Sequence, residues 1–229
     1  MFKKTKCWKL EVGNRKQKAG KQIFKLITSI LIFTFFLVIA NISSAQRFEG
    51  GLLAGFNATQ VEGDTYKGYH KPGFVGGVYI QTDIAPAIFA AMEIKYAQKG
   101  ARNKPIKNDP TKYVMRLGYI DIPAYMAFRT NDRGAIIAGI STGILIHAKE
   151  FDNYGEFPVE DQSAFNTIDL QALVGFQFDF LDNMKVDLRF ALSVIPIRSH
   201  PGDTPPNQYW INNQFNNVIS LALYYRFDR

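Results

Sequence analysis

The sequence holds one cysteine, Cys7, and three histidines, His70, His147 and His200, in 229 residues. A lone thiol excludes a disulfide scaffold and a cysteine-built metal site. Neither His70 nor His200 has a second ligand at zinc-like spacing. No Gly-rich turn opens a helix, which removes the phosphate-loop and dinucleotide fingerprints. After residue 40 there is no apolar run long enough for a membrane helix. The composition, 47% hydrophobic and 21% charged, excludes a disordered chain, a collagen and a coiled coil.

Excess charge is also missing from most of the chain. The formal net charge is +7, but residues 1–45 carry nine Lys/Arg against Glu11 alone. That segment is +8, so residues 46–229 carry −1. A nucleic-acid partner is not expected, because phosphate binding needs a concentrated positive face. Residues 26–40, LITSILIFTFFLVIA, follow the basic stretch and precede NISSAQ, with Ser43 and Ala45 in a small-x-small pattern. The reading is a secretory signal peptide over 1–45, cleaved before Gln46. The rival, a permanent anchor, needs about 20 apolar residues, and this run is shorter. Cys7 leaves with the leader, and no Cys follows the cleavage site to carry a lipoprotein anchor.

What residues 46–229 do have is a period of two. From Ile168 to Phe180 every second residue is apolar: Ile168, Leu170, Ala172, Val174, Phe176, Phe178, Phe180. A helical repeat through Ile168 would need apolar residues where Gln171 and Gly175 stand. Val186–Val194 and Ile219–Phe227 alternate in the same way. Strands are expected at about 47–60, 72–82, 87–98, 112–129, 135–148, 165–181, 185–196 and 214–228. Pro123 in the fourth calls for a bulge or a local break. The links alternate between short (83–86, 130–134, 181–184) and long (about 61–71, 99–111, 149–164, 197–213). Eight antiparallel strands with all tight turns at one end have this asymmetry, as outer-membrane barrels do.

The fold expected is therefore all-β, an eight-stranded antiparallel up-and-down transmembrane β-barrel over 46–229. Alternation does not itself choose between lipid and core for the apolar row. The second row favours lipid outside: it mixes Gly, Ala, Ser and Gln with charges of both signs, as a narrow filled interior does. Phe48, Phe128, Phe180, Tyr225 and Phe227 form one expected interfacial girdle at the short-turn end, with Phe56, Phe74 and Tyr96 as candidates for the other. The alternatives are a soluble periplasmic barrel with an apolar cavity, and a small barrel enzyme acting on lipid or peptide.

GLLAGFNAT (51–59), YVMRLGYIDIPAYMAF (113–128), LQALVGFQFDF (170–180) and NNVISLALYYRF (216–227) together resemble the PorT-like small outer-membrane β-barrel proteins of the Bacteroidota. That resemblance implies an eight-stranded barrel, usually without enzymatic activity, in a family whose founding member is linked to type IX protein secretion. It transfers no catalytic residue and no cofactor.

Candidate residues are few. His147 and Ser141 share the polar row of strand five, but six residues span about 20 Å at about 3.3 Å each, too far for a direct pair. His70 and His200 read as solvated loop residues. The lumen charges Glu49, Glu93, Lys95, Asp121, Asp169, Asp179, Asp187, Arg189 and Arg226 are expected to neutralise one another, since unpaired buried charge is costly. The alternative for them is a ligand site or ion path. The expected partners are outer-membrane lipid and, through the basic loop 99–111 and the acidic loop 149–164, other envelope or secretion proteins.

Overall fold

The computed structural model describes residues 47–63, 68–103, 112–157, 164–199 and 213–227. The leader 1–45, His200 and much of the four long links lie outside these residues. Eight long strands form the wall: β1 Phe48–Glu62, β2 Lys71–Ala85, β3 Ile88–Lys99, β4 Val114–Arg129, β5 Gly134–Phe151, β6 Ile168–Leu181, β7 Met184–Ser193 and β9 Asn213–Arg226. A two-residue strand, β8 (Arg198–Ser199), pairs with the start of β9 and is not part of the wall. Each wall strand pairs antiparallel with its neighbours in sequence order, and β9 pairs with β1 to close the barrel. Closure leaves no unpaired edge, the condition a sheet must meet inside hydrocarbon.

The period of two sorts the side chains. Ile94, Val174, Leu188 and Leu221 point outward and are 53%, 54%, 52% and 54% exposed. Their neighbours Glu93, Leu173, Arg189 and Ala222 point inward and are buried. A soluble barrel would reverse this arrangement, because its greasy row must line the interior. The outward row also carries the exposed aromatics Phe48, Phe128, Phe180, Tyr225 and Phe227 at the short-turn end. Toward the other end Phe56 and Phe74 are exposed cross-strand partners, and Tyr96 stacks on His147 with ring centroids 6.4 Å apart.

Besides register shifts beside two of the tight turns, at Asp83/Ala85 and Asp179/Leu181, the ladder is interrupted at Pro123 and at Ile146. At Pro123 the pairing to β3 is broken between the pairs Met92–Ala124 and Lys95–Asp121, with the register unchanged. A proline has no N–H for the ladder, and the break costs no shift. On the other side, Gly118 pairs with His147 whereas Tyr119 pairs with Leu145, so Ile146 is an extra residue in β5. Bulges re-aim side chains, and this one turns His147 outward. His147 therefore does not share the interior row with Ser141. Its ring covers Gly118, where a Cβ would lie 2.2 Å from it.

Candidate functional site in the barrel lumen

The interior is filled by side chains. Three apolar clusters occupy it, one around Phe89, Tyr125 and Ile137, one around Leu53, Tyr79 and Tyr224, and one around Met115, Leu117 and Tyr119. Two buried polar networks lie among them.

The first network is built on Glu93 of β3. Arg189 of β7 donates to it from both guanidinium nitrogens, Nη1 to Oε2 at 3.1 Å and Nη2 to Oε1 at 3.0 Å. Lys95 lies 3.0 Å from Oε2, and the Tyr224 hydroxyl donates to Oε1 at 2.7 Å. Arg189 also donates to Asp187 at 2.9 Å, and Gln177 donates to Asp187 at 2.8 Å. The Arg189 guanidinium rests 4.7 Å over the Tyr125 ring. Two cations face two carboxylates, so the cluster is neutral with every charge paired. The bidentate geometry suits arginine's planar fork.

The second network lies nearer the long loops and is built on Lys99. Its ammonium donates to Asp121 at 2.9 Å, Asp169 at 3.2 Å and Gln171 at 3.1 Å, and stands 4.5 Å over the Tyr119 ring. One cation holds two carboxylates. Ser193 at 2.6 Å and Asn216 at 2.9 Å donate to Asp169 and supply the remaining compensation. Gly143 leaves the space that Asp121 uses: a Cβ there would come within 2.6 Å of Asp121 Oδ1.

Both mouths have polar pairs of their own. At the short-turn rim Arg226 and Glu49 are 3.3 Å apart and partly exposed, and Gln81 donates to Glu49 at 2.9 Å. Asp179 is exposed there. At the long-loop rim Arg198 of β8 donates to both oxygens of Glu150, at 2.9 and 3.1 Å, and the Tyr113 hydroxyl donates to the same carboxylate. Burial, and then the adjoining carboxylate, raises the Tyr113 phenol above its ordinary value.

The structure thus brings Glu93, Lys95, Asp187 and Arg189 into one cluster, Asp121 and Asp169 into a second, and Glu49 and Arg226 into a rim pair. Lys99, Tyr224, Gln171, Asn216 and the Arg198–Glu150 pair are not in the sequence-derived set. Lys99 falls where alternation gives way to loop composition. Tyr224 reads as one more aromatic beside Tyr225, although their parity separates them.

The space left in the lumen limits what it can do. Between the networks is a cavity of about 20 Å³ touching Asn57, Ser141 and Gln171, the room of one water molecule. A larger hollow of about 520 Å³ opens at the short-turn end and reaches inward as far as Gln177, a partner of Asp187. Among the described residues no group of three His, Cys, Asp or Glu is arranged to hold a metal ion.

Several solved structures are similar to this chain. The attachment invasion locus protein Ail of Yersinia pestis aligns at 17% identity over 79% of this chain and 99% of its own, with a TM-score of 0.46. Neisserial surface protein A aligns at 14% over 79% and 97%, with a TM-score of 0.46. OprG of Pseudomonas aeruginosa aligns at 10% over 80% and 95%, with a TM-score of 0.35. No curated protein sequence matches the chain. Residues 40–198 match a family described as the outer membrane protein beta-barrel domain. A match over more than half the chain, on a closed barrel with a greasy exterior and a charge-paired interior, makes this protein a member of that family, resident in the outer membrane.

Proposed function

We infer that this is a non-enzymatic outer-membrane barrel whose role is structural and interactive, carrying its long loops on a rigid, sealed wall. The observation that supports this most is the filled lumen: the Glu93 cluster is charge-neutral, Lys99 holds Asp121 and Asp169, and the cavity between the two networks has the room of one water molecule. In this reading Glu93, Lys95, Asp121, Asp169, Asp187 and Arg189, with Lys99, act as a plug that fixes the barrel's cross-section, while Glu49, Asp179 and Arg226 stand at the short-turn mouth. Residues 1–45 serve as a cleaved leader. The resemblance to PorT-like barrels of the Bacteroidota supports a finer role, as an accessory of protein secretion or envelope assembly, with envelope or secretion proteins engaged through the long loops.

Two measurements test the reading. Planar-bilayer recordings should show no steady conductance, whereas large stable openings would exclude a plugged lumen. Mild cross-linking of native envelopes followed by mass spectrometry should recover envelope or secretion proteins joined through residues of the long loops. Recovery of lipid or peptide breakdown products by the purified barrel would favour an enzyme instead.

A further inference from the structure

The outward rows of the wall strands are almost free of charge, as a lipid-facing surface must be. Among the described residues they hold two basic side chains, Arg116 of β4 and Lys149 of β5. These two are cross-strand partners. The bulge at Ile146 makes them so. Before it the outward residues of β5 are even-numbered, Ile136, Ile140 and Ile144; after it they are His147 and Lys149. In an unbulged strand Lys149 would face the lumen and Glu150 the bilayer.

Arg102 extends the cluster. It bridges to Val114, two residues from Arg116 on the same face of β4. Arg102 and Arg116 are exposed, and the Lys149 side chain is 51% exposed. The Arg116 guanidinium lies 4.9 Å over the Phe151 ring, which holds it against the wall. The acid of this face is Glu156, 3.0 Å from Lys149. Both members of that pair are about half exposed, where ion pairs are weak and exchangeable. Toward the membrane centre the stacked Tyr96 and His147 rings come next, and then the apolar surface of Ile94 and Ile144.

We propose that this face is a binding site for the phosphorylated headgroup of an outer-leaflet lipid. The cations stand at the interfacial level, one step outside an aromatic pair, where basic side chains attract anionic headgroups. The two arginines supply forked donors suited to phosphate. The apolar surface directly below offers acyl chains a bed that a free anion cannot use, and this assigns the site to a lipid.

The test uses the protein purified from envelopes into zwitterionic detergent, titrated with bisphosphorylated lipid A and followed by native mass spectrometry. Wild type should retain the lipid. Arg116→Gln/Lys149→Gln should bind about twenty-five-fold more weakly, about fivefold for each charge, while Arg116→Lys/Lys149→Arg, which keeps both charges, should bind more tightly than that double variant. Dephosphorylated lipid A should bind wild type no better than the phosphorylated lipid binds the double variant, and millimolar inorganic phosphate should not compete. Equal affinity of wild type and double variant, or of the two lipids, would overturn the proposal. Competition by inorganic phosphate would overturn the assignment to lipid. Folding of each variant is checked by the heat-dependent gel shift of the barrel. If the double variant does not fold, Lys149→Gln alone should show the fivefold loss, and no loss there would count against the site.

Discussion

Arg189 illustrates what one residue carries in a closed lumen. It is the common partner of Glu93, Asp187 and Tyr224. Arg189→Met would leave buried carboxylates in excess, which costs about 3–5 kcal/mol. Urea unfolding in micelles should show that loss, and adding Glu93→Leu should return part of it by removing the stranded charge. A substitution on the other face acts through a different solvent. Leu221 lies four residues from the girdle residue Tyr225 and is 54% exposed. Leu221→Arg should cost about 2–4 kcal/mol near the midplane of a bilayer, as should Val174→Arg. A negligible cost at both positions in refolding experiments would contradict the outward assignment. The parity of these residues is legible in the sequence, because alternation is a local property. The partners of Arg189 are not, because Tyr224 stands 131 residues from Glu93.

At the scale of an element, β5 is the instructive strand. Its sequence reads as a plain alternation, and nothing in GILIHAKEF marks one residue as extra. The bulge exists because both ends of β5 must meet neighbours. The Gly134–Ser141 half holds its register with β4 and β6, while the far half must bring Glu150 inward to Arg198. Deleting Ile146 should therefore close the bulge and leave Lys149 outward and Glu150 inward, because His147 would follow the inward Leu145 directly. The expected outcome is amide-exchange and protease protection at the long-loop rim like that of the wild type. Faster exchange or nicking confined to that rim would show that the bulge itself is needed there. Pro123 is the opposite case. The sequence announces a disturbance in β4, and the structure confines it to missing ladder pairs on the β3 side.

The barrel is a closed wall between two environments, greasy outside and polar inside, with its tight turns at one end. Fractionation should place it with the outer membrane and require detergent for release. The mass of the envelope form should begin at Gln46 if residues 1–45 are removed; retention of the intact leader would replace the signal peptide with an anchor. Strand number, the faces of the strands and the end that carries the long loops are all readable from the chain, with boundaries within a few residues for most strands. The two-residue β8 is not, because its pairing with β9 depends on a return path that no periodicity encodes.

The division between sequence and structure has a physical basis. The period of two fixes which side chains share a face, and tight turns fix which strands are neighbours, so the order of the strands and the membership of each row are determined locally. Which charges neutralise one another is decided only when closure brings β3, β6, β7 and β9 around one axis and places Lys99 between Asp121 and Asp169. The same holds for the cationic face of Arg102, Arg116 and Lys149. One extra residue in β5 reverses the parity beyond it, and that reversal is set by the register of three strands together.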